Sequence, residues 1–182
     1  MSGFRDYLDD KRTAVLAARE RVAETTPPPR QVTATVTAAD RAGVRRVRIR
    51  DHHGLLDSGP EMGGFDLGPS PVESLLGALG GCLAHTIIVQ AAARQIPLDA
   101  VTVEVAATVD PRAGHPAFPD VPIHPTGITW IARIQSPAET ERLTRLVETA
   151  ERVCPVTALL TEPQPVSGSL IHIGAGDPAN RA

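Results

Sequence analysis

The chain contains 182 residues, of which 42% are hydrophobic and 21% are charged, and its formal net charge at pH 7 is -3. This size and composition fit one globular domain, and the slight negative charge gives no electrostatic reason to expect a nucleic acid or an acidic membrane surface as a partner. Lys11 is the only lysine, which excludes a nucleotide-binding P-loop, and the two cysteines, Cys82 and Cys154, are too few for a disulfide framework.

The sequence favours a cytoplasmic protein. No apolar run approaches the roughly 20 residues that a membrane helix needs. The N-terminal residues mix acids and bases where a signal peptide would have an apolar core. We therefore expect both thiols to be reduced unless their oxidation is functional. The preference for arginine over lysine is typical of a GC-rich bacterial genome.

The N-terminal part of the chain is predicted to form an appended helix followed by a sheet. Apolar residues recur on one face over residues 4–24, and three consecutive prolines then form a stiff linker. Alternating apolar and polar residues predict three strands, over 31–38, 44–50 and 51–57. We therefore divide the chain into an N-terminal helix with its linker, residues 1–30, and a main domain, residues 31–182.

A central helix is the most strongly indicated element. Ser70 and Glu73 form a capping box with Pro71 at the first helical position, and a glycine-bearing loop precedes it. The helix is apolar on most of its faces until Pro97 ends it. Such a helix is expected to be central and buried.

The C-terminal half is predicted to add strands and shorter helices. Alternating patterns at 101–109 and 127–134 predict two strands, separated by a proline-rich loop that is longer than a hairpin needs. A second capping box, from Ser136 to Glu139, predicts a helix that ends at Cys154. A short helix over 156–160 and a strand over 166–173 are expected to follow. This order of elements is typical of an α+β protein rather than a doubly wound parallel sheet.

Three side chains are candidates for chemistry. Cys82 lies within the central helix, where a free cysteine is commonly only a small buried hydrophobe. Cys154 precedes Pro155 at a helix boundary; it is either a plain boundary residue or a thiol whose pKa the helix N-terminus lowers. His85 lies one turn after Cys82 and could stabilise a thiolate or contribute half of a metal site.

No other motif indicates a metal centre or a serine hydrolase. Zinc needs about four ligands, and the remaining histidines do not form a second pair with suitable spacing. The sequence has no Gly-x-Ser-x-Gly elbow, and Ser70 is already explained as a helix cap. We therefore expect neither a metal nor an organic cofactor.

Two segments resemble the OsmC/Ohr superfamily, the osmotically inducible protein C and organic hydroperoxide resistance proteins. They are the glycine- and proline-bearing run from Met62 to Cys82 and the later Cys154-Pro-Val-Thr-Ala-Leu159. The similarity extends over residues 31–173 and is greatest to the OsmC-like branch. It implies an intertwined homodimer in which antiparallel β-sheets surround two central helices, with the N-terminal helix as an addition.

The resemblance also implies a cysteine-based peroxidase of the stress response. Carried over to this sequence, Cys82 attacks an organic hydroperoxide and becomes a sulfenic acid, and Cys154 resolves it as a disulfide. A dithiol such as a lipoyl group then reduces that disulfide. The hypothesis is therefore a cytoplasmic homodimer that reduces organic hydroperoxides through two thiols.

The sequence departs from the peroxidase branches at one position. Those branches carry a glutamate directly after the proline that opens the helix, where it pairs with an arginine that activates the cysteine. This chain has Val72 there, and Glu73 is turned from that position by about 100°. Arg41, in the turn after the first predicted strand, and His85 are candidates for the missing positive charge. The alternative hypothesis is a non-catalytic OsmC-like dimer that binds a small apolar or thiol-reactive ligand in the interface pocket.

Overall fold

The structure is a computed structural model of the 182-residue chain, and it describes residues 3–39, 42–162 and 164–174. Within these ranges the chain forms four α-helices and five β-strands, which confirms the α+β class. In chain order they are α1 (Phe4–Thr25), β1 (Thr35–Ala38), β2 (Arg45–Ile49), β3 (His52–Leu56), α2 (Pro71–Arg94), β4 (Ala100–Thr108), β5 (Thr126–Gln135), α3 (Thr140–Arg152) and α4 (Pro155–Thr161).

The strands form two separate antiparallel sheets. One sheet has the order β1-β2-β3, with Val36 opposite Val47 and Val47 opposite Gly54. The other is the long hairpin β4-β5, in which Val103 lies opposite Ala132. Each expected strand before residue 135 is present, although the first begins at Thr35 and is shorter than predicted.

Helix α2 is the centre of the fold. Its predicted capping box is confirmed: the Ser70 hydroxyl accepts from the Glu73 amide at 3.2 Å, and the Glu73 carboxylate accepts from the Ser70 amide at 2.7 Å. Leu83, Ile87 and Ala91 are fully buried where α2 meets the other elements. The apolar sequence of α2 is thus explained by packing on several sides.

One expectation about apolar runs is wrong. Helix α2 has 24 residues and a mean hydropathy of 1.6 in its most apolar window, which is enough to cross a membrane by length and composition alone. It packs against α1, α3, α4 and β4, as a core helix does. Its apolar character therefore does not indicate a membrane protein.

The N-terminal helix α1 is docked on the body through one face. Leu8 is buried in the same apolar cluster as Ile87 and Leu146, and Phe4 packs against that cluster. Nearby, the Arg5 guanidinium pairs with the Asp99 carboxylate at 2.6 Å. The appended helix is thus part of the main core.

The second predicted capping box is wrong. Helix α3 begins at Thr140 with Glu139 as its N-cap, and Ser136 lies outside it. The Ser136 hydroxyl accepts from the Ala138 amide at 3.0 Å and donates to the Pro97 carbonyl. The hydroxyl oxygen therefore accepts from an amide in the turn before α3 rather than from one inside that helix, and its proton ties the turn to the segment between α2 and β4.

The predicted C-terminal strand is also absent from the described part of the chain. Residues 164–174 follow α4 without regular hydrogen bonding. Val166 is 96% exposed and Leu170 is 91% exposed, so these two side chains pack on nothing in the described part of the chain.

A buried carboxylate organises the loop between β3 and α2. Asp57 is 1% exposed, and it accepts from the amides of Phe65 at 3.0 Å and Leu67 at 3.2 Å. Its own amide donates to the Pro69 carbonyl, directly before the cap of α2. Gly68 lies so close to β3 that a Cβ there would be 2.6 Å from the Leu55 carbonyl oxygen. Glycine is therefore required where the loop approaches that strand.

Candidate active site

The fold brings the two cysteines together. Cys82 lies on α2 and Cys154 directly precedes α4, and their thiols interact so that each shifts the pKa of the other. Cys154 is 1% exposed, whereas Cys82 is half-buried. The apolar side chains that surround the pair are Leu79, Leu83, Val103, Val105, Trp130, Val156 and Leu160.

Backbone hydrogen bonds fix Cys154 at the junction of α3 and α4. Its amide donates to the Glu151 carbonyl at 3.1 Å, and its carbonyl accepts from the Ala158 amide at 3.0 Å. Pro155 occupies the first position of α4, where its missing N–H removes no helical hydrogen bond. The sequence Cys-Pro thus sets both the end of one helix and the start of the next.

The surroundings of the two thiols shift their pKa values in opposite directions. Burial is the main cause that raises the pKa of Cys82, and the neighbouring Cys154 raises it further. Burial also opposes ionisation of Cys154, but hydrogen bonding from the Thr157 hydroxyl and amide, from Cys82 and from the Val156 amide outweighs it and lowers the pKa of Cys154. These surroundings therefore oppose ionisation of Cys82 and favour that of Cys154.

Neither candidate for an activating cation is found in contact with the thiols of Cys82 and Cys154 in the described part of the chain. His85 is exposed on α2, and its side chain makes no hydrogen bond within the described ranges. Arg41 lies outside the described residues. Burial without a neighbouring cation opposes ionisation of a thiol, and the pKa of Cys82 is raised mainly by burial.

The Glu73 side chain is engaged in capping its own helix. The hydrogen bond from the Ser70 amide, with that from the Ser70 hydroxyl, lowers the pKa of the Glu73 carboxyl. Val72 and Glu73 line a groove of about 620 Å³, whose other ionisable residues are Asp57, Glu61 and Asp66. Because every charged lining residue is acidic, this groove supplies no positive charge to a thiol.

A smaller cavity of about 260 Å³ lies beside the cysteines. Trp130 of β5 and Thr157 of α4 line it, and sequence reasoning singled out neither as a functional residue. Its other lining residues are Leu79, Ile128, Glu151, Leu160 and Thr161. The spacing of Thr157, three residues after Cys154 in a short helix, is the signal that would have found it.

Metal-ligating side chains do not converge. No group of three or more His, Cys, Asp or Glu side chains that could hold a metal ion occurs within residues 3–39, 42–162 and 164–174.

A protein-family model described as OsmC-like protein matches residues 64–168, which include α2 and both cysteines. The chain belongs to the OsmC-like family. Helix α1 and the sheet β1-β2-β3 lie outside the matched residues. A search of curated proteins finds no match.

Solved structures of other OsmC and Ohr proteins share the fold. An OsmC-like protein from Mycoplasma pneumoniae is 17% identical, with a TM-score of 0.64 over 75% of this chain and 91% of its own. An organic hydroperoxide resistance protein OsmC from Legionella pneumophila is 18% identical, with a TM-score of 0.57 over 75% and 93%. An organic hydroperoxide resistance protein from Vibrio cholerae, with captopril bound in one of its active sites, is 20% identical, with a TM-score of 0.51 over 76% of this chain and 90% of its own. At these identities the similarity establishes the OsmC/Ohr fold.

Proposed function

We propose that this OsmC-like protein is a thiol-dependent peroxidase that reduces organic hydroperoxides through Cys82 and Cys154. The observation that carries the proposal is the direct interaction of the two thiols, which come from distant parts of the sequence and meet inside an apolar cluster. A buried structural cysteine needs no second thiol beside it, whereas a disulfide-forming pair does.

The reaction follows from the accessibility of the two sulfurs. The half-buried Cys82, as thiolate, attacks the outer oxygen of the hydroperoxide, the O–O bond breaks, and the alkoxide leaves and takes a proton. Cys154 then attacks the sulfenic sulfur of Cys82 and releases water as the disulfide forms. A dithiol reductant, such as a lipoyl group, returns two electrons to the pair.

The surroundings of the pair favour an organic substrate. The site is bordered by leucine, valine and tryptophan side chains, and the cavity beside it is also mainly apolar. An alkyl group transferred from water to such surroundings gains roughly 25 cal/mol for each Å² that it buries, whereas hydrogen peroxide gains nothing in this way. We expect organic hydroperoxides to react faster than hydrogen peroxide.

The proposal includes a cytoplasmic homodimer. The sheet β1-β2-β3 buries almost nothing in its own chain, and the face of α2 that carries Leu75, Gly77, Ala78 and Gly81 is exposed. A second copy of the chain would cover these surfaces. It would also bring further side chains towards Cys82, whose raised pKa requires a cation for activation. Arg41 remains the candidate from the sequence.

The test is stoichiometric oxidation of the purified, fully reduced protein with cumene hydroperoxide. We expect free thiols to fall from two to none per chain, while Cys154→Ser retains a sulfenic acid on Cys82 that dimedone traps. Cys82→Ser is expected to consume no peroxide. Retention of both thiols by the wild-type protein, or unchanged peroxide consumption by Cys82→Ser, would exclude the peroxidase function.

The alternative function is binding of a small apolar or thiol-reactive ligand without turnover. The raised pKa of Cys82 is the observation that favours it, since a neutral thiol reacts slowly with peroxide. Native mass spectrometry of protein purified from cells distinguishes the two. A bound small molecule together with thiols that are inert to peroxide is the outcome expected of a binding protein.

A further inference from the structure

The cavity of about 260 Å³ beside the cysteines is mainly apolar but has one charged residue in its lining. Its apolar walls are Leu79 of α2, Ile128 and Trp130 of β5, and Leu160 of α4. Among the described residues that line it, only Glu151 of α3 carries a charge. The lining therefore offers nothing that would balance a negative charge on a ligand.

Packed secondary structure, rather than a loop, forms this cavity. Ile128 and Trp130 are two residues apart on β5, so their side chains leave the same face of the strand. The Glu151 carbonyl accepts from the Cys154 amide at 3.1 Å, which fixes the backbone of Glu151 at the junction of α3 with α4. The charged and the apolar parts of the lining are thus held by ordered elements.

The Glu151 carboxylate is not neutralised by a neighbour. In the described part of the chain its side chain makes neither an ion pair nor a hydrogen bond. The next residue, Arg152, donates to the Thr149 hydroxyl, and Arg145 of the same helix pairs with Glu141. Glu151 is exposed, so its unpaired charge lies where the cavity meets solvent.

Trp130 adds a second group that favours a cation. The negative face of an indole ring attracts an ammonium group more strongly than the ring of any other side chain does. An ammonium group at this cavity therefore has a carboxylate and an aromatic ring in one lining. A carboxylate group at the same place would gain neither interaction and would be repelled by Glu151.

The volume of the cavity limits the apolar part of a ligand. A dry apolar cavity of about 150 Å³ is large enough for one benzene ring. The cavity in this protein therefore has room for one ring with a short substituent, or for an alkyl chain of about six carbons. Each methylene group buried there strengthens binding by roughly fourfold.

We propose that this cavity binds a small amphipathic amine, whose apolar group lies against the leucine and isoleucine side chains and whose ammonium group lies beside Glu151 and Trp130. Glu151 is then a specificity-determining residue that rejects ligands with a carboxylate end. The inference goes beyond the proposed function, because it concerns a binding site next to the thiols and requires no reaction at them.

The test compares three ligands that share a hexyl chain and differ only in the polar end: hexylamine, hexan-1-ol and hexanoate. Binding to the full chain, with its thiols reduced, is followed at pH 7 by the fluorescence of Trp130, the only tryptophan in the sequence. We expect hexylamine to bind roughly tenfold more tightly than hexanoate, with hexan-1-ol between them. This preference is expected to shrink as salt is added, because salt screens charges at an open rim.

Variants of Glu151 test the source of the preference. Glu151→Gln keeps the size of the side chain and removes its charge, so the three affinities are expected to come within about threefold of one another. Glu151→Lys is expected to reverse the order. Glu148→Gln is the matched control, since it removes the same charge one turn earlier on α3 from a residue outside the lining. We expect it to retain the order of the wild type.

A variant that fills the cavity tests the location. Ile128→Phe places a larger side chain in the lining, and we expect it to weaken all three ligands alike, by roughly fourfold or more. Ile128 is 38% exposed, so the strand has space for the substitution. Ile131→Phe makes the same change at a residue of β5 outside the lining and is expected to leave the affinities unchanged.

Three results would overturn the inference. They are absence of binding by all three ligands, equal affinities of the wild type for hexylamine and hexanoate, and an unchanged preference in Glu151→Gln. Because no peroxide is present and the thiols stay reduced, each of these results is independent of whether the protein is a peroxidase.

Discussion

The two sheets of this protein differ in what they bury. The β4-β5 hairpin lies against α2, and the inward side chains Val101, Val103, Ala132 and Ile134 pack against the main core. The sheet β1-β2-β3 has no such layer, and no residue of its three strands is buried. A sheet that is exposed on both faces gains little apolar burial within its own chain. The comparison indicates that one sheet contributes to the core of this chain, whereas the other is left exposed on both faces, where the second copy of the proposed homodimer would cover it.

The largest effect is expected from truncating the core that the β4-β5 sheet covers. Ile87→Ala removes a fully buried side chain of α2 and is expected to lower the free energy of unfolding by about 2–5 kcal/mol. Ile131→Ala, at a site on β5 that is 57% exposed, is the matched control and is expected to cost less than about 1 kcal/mol. Urea denaturation measures both, and equal losses would contradict the assignment of the core.

The next effect tests the loop that joins the exposed sheet to α2. In Gly68→Ala the new Cβ would meet the Leu55 carbonyl oxygen at 2.6 Å, so we expect a loss of about 1–3 kcal/mol. Gly54→Ala is the control on β3, because a Cβ there meets nothing within 4 Å. A Gly68→Ala variant as stable as Gly54→Ala would show that the loop does not approach the strand closely.

A smaller effect distinguishes an exposed sheet from one covered by a second copy. Val36→Glu changes a side chain that is 55% exposed in the chain and shares a face with Val47. Without a partner it should cost less than about 0.5 kcal/mol. We expect instead that it weakens the dimer by about 1–2 kcal/mol, measured as the dissociation constant by analytical ultracentrifugation. Thr37→Glu, on the opposite face, is the control. A wild-type chain that is monomeric at all concentrations would contradict the proposal that a second copy covers this sheet.

The smallest expected effect concerns acid stability. The hydrogen bond from the Ser58 amide, with those from Leu67 and Phe65, lowers the pKa of Asp57 in the folded chain. Because this pKa is lower in the folded than in the unfolded chain, the ionised carboxylate stabilises the fold at pH values above its unfolded pKa. That stability is lost as the pH falls through the folded pKa. Asp57→Asn should therefore flatten the decline of Tm below about pH 4 relative to wild type. Parallel Tm profiles for the two proteins would contradict this role for the carboxylate.

Local signals in the sequence predict most of the fold correctly. The capping box of α2 and the alternation in β4 and β5 are properties of neighbouring residues, which is why they are found where expected. The pattern at Ser136 is just as clear, but there the hydroxyl accepts from the Ala138 amide in a turn and donates to the distant Pro97 carbonyl. A capping pattern shows that a hydroxyl can cap a helix, and only the tertiary structure shows whether it does.

The candidate site is less accessible to sequence reasoning. Pairing of Cys82 with Cys154 followed from resemblance to a family, since nothing in their spacing brings them together. The opposite pKa directions of the two thiols depend on burial and on the Thr157 hydroxyl, which are properties of the folded chain. The sequence shows that Val72 stands where the peroxidase branches have a glutamate. It does not show that Val72 lines a groove whose charged residues are acidic.

The loop that carries Asp57 has a mechanical consequence. Its carboxylate fastens the loop amides, and its amide is fastened to Pro69 at the start of α2, so the end of β3 is joined to that helix by polar bonds rather than by apolar contact. These bonds therefore couple the position of the exposed sheet to the first turn of α2, which lies about three helical turns before Cys82 on the same helix.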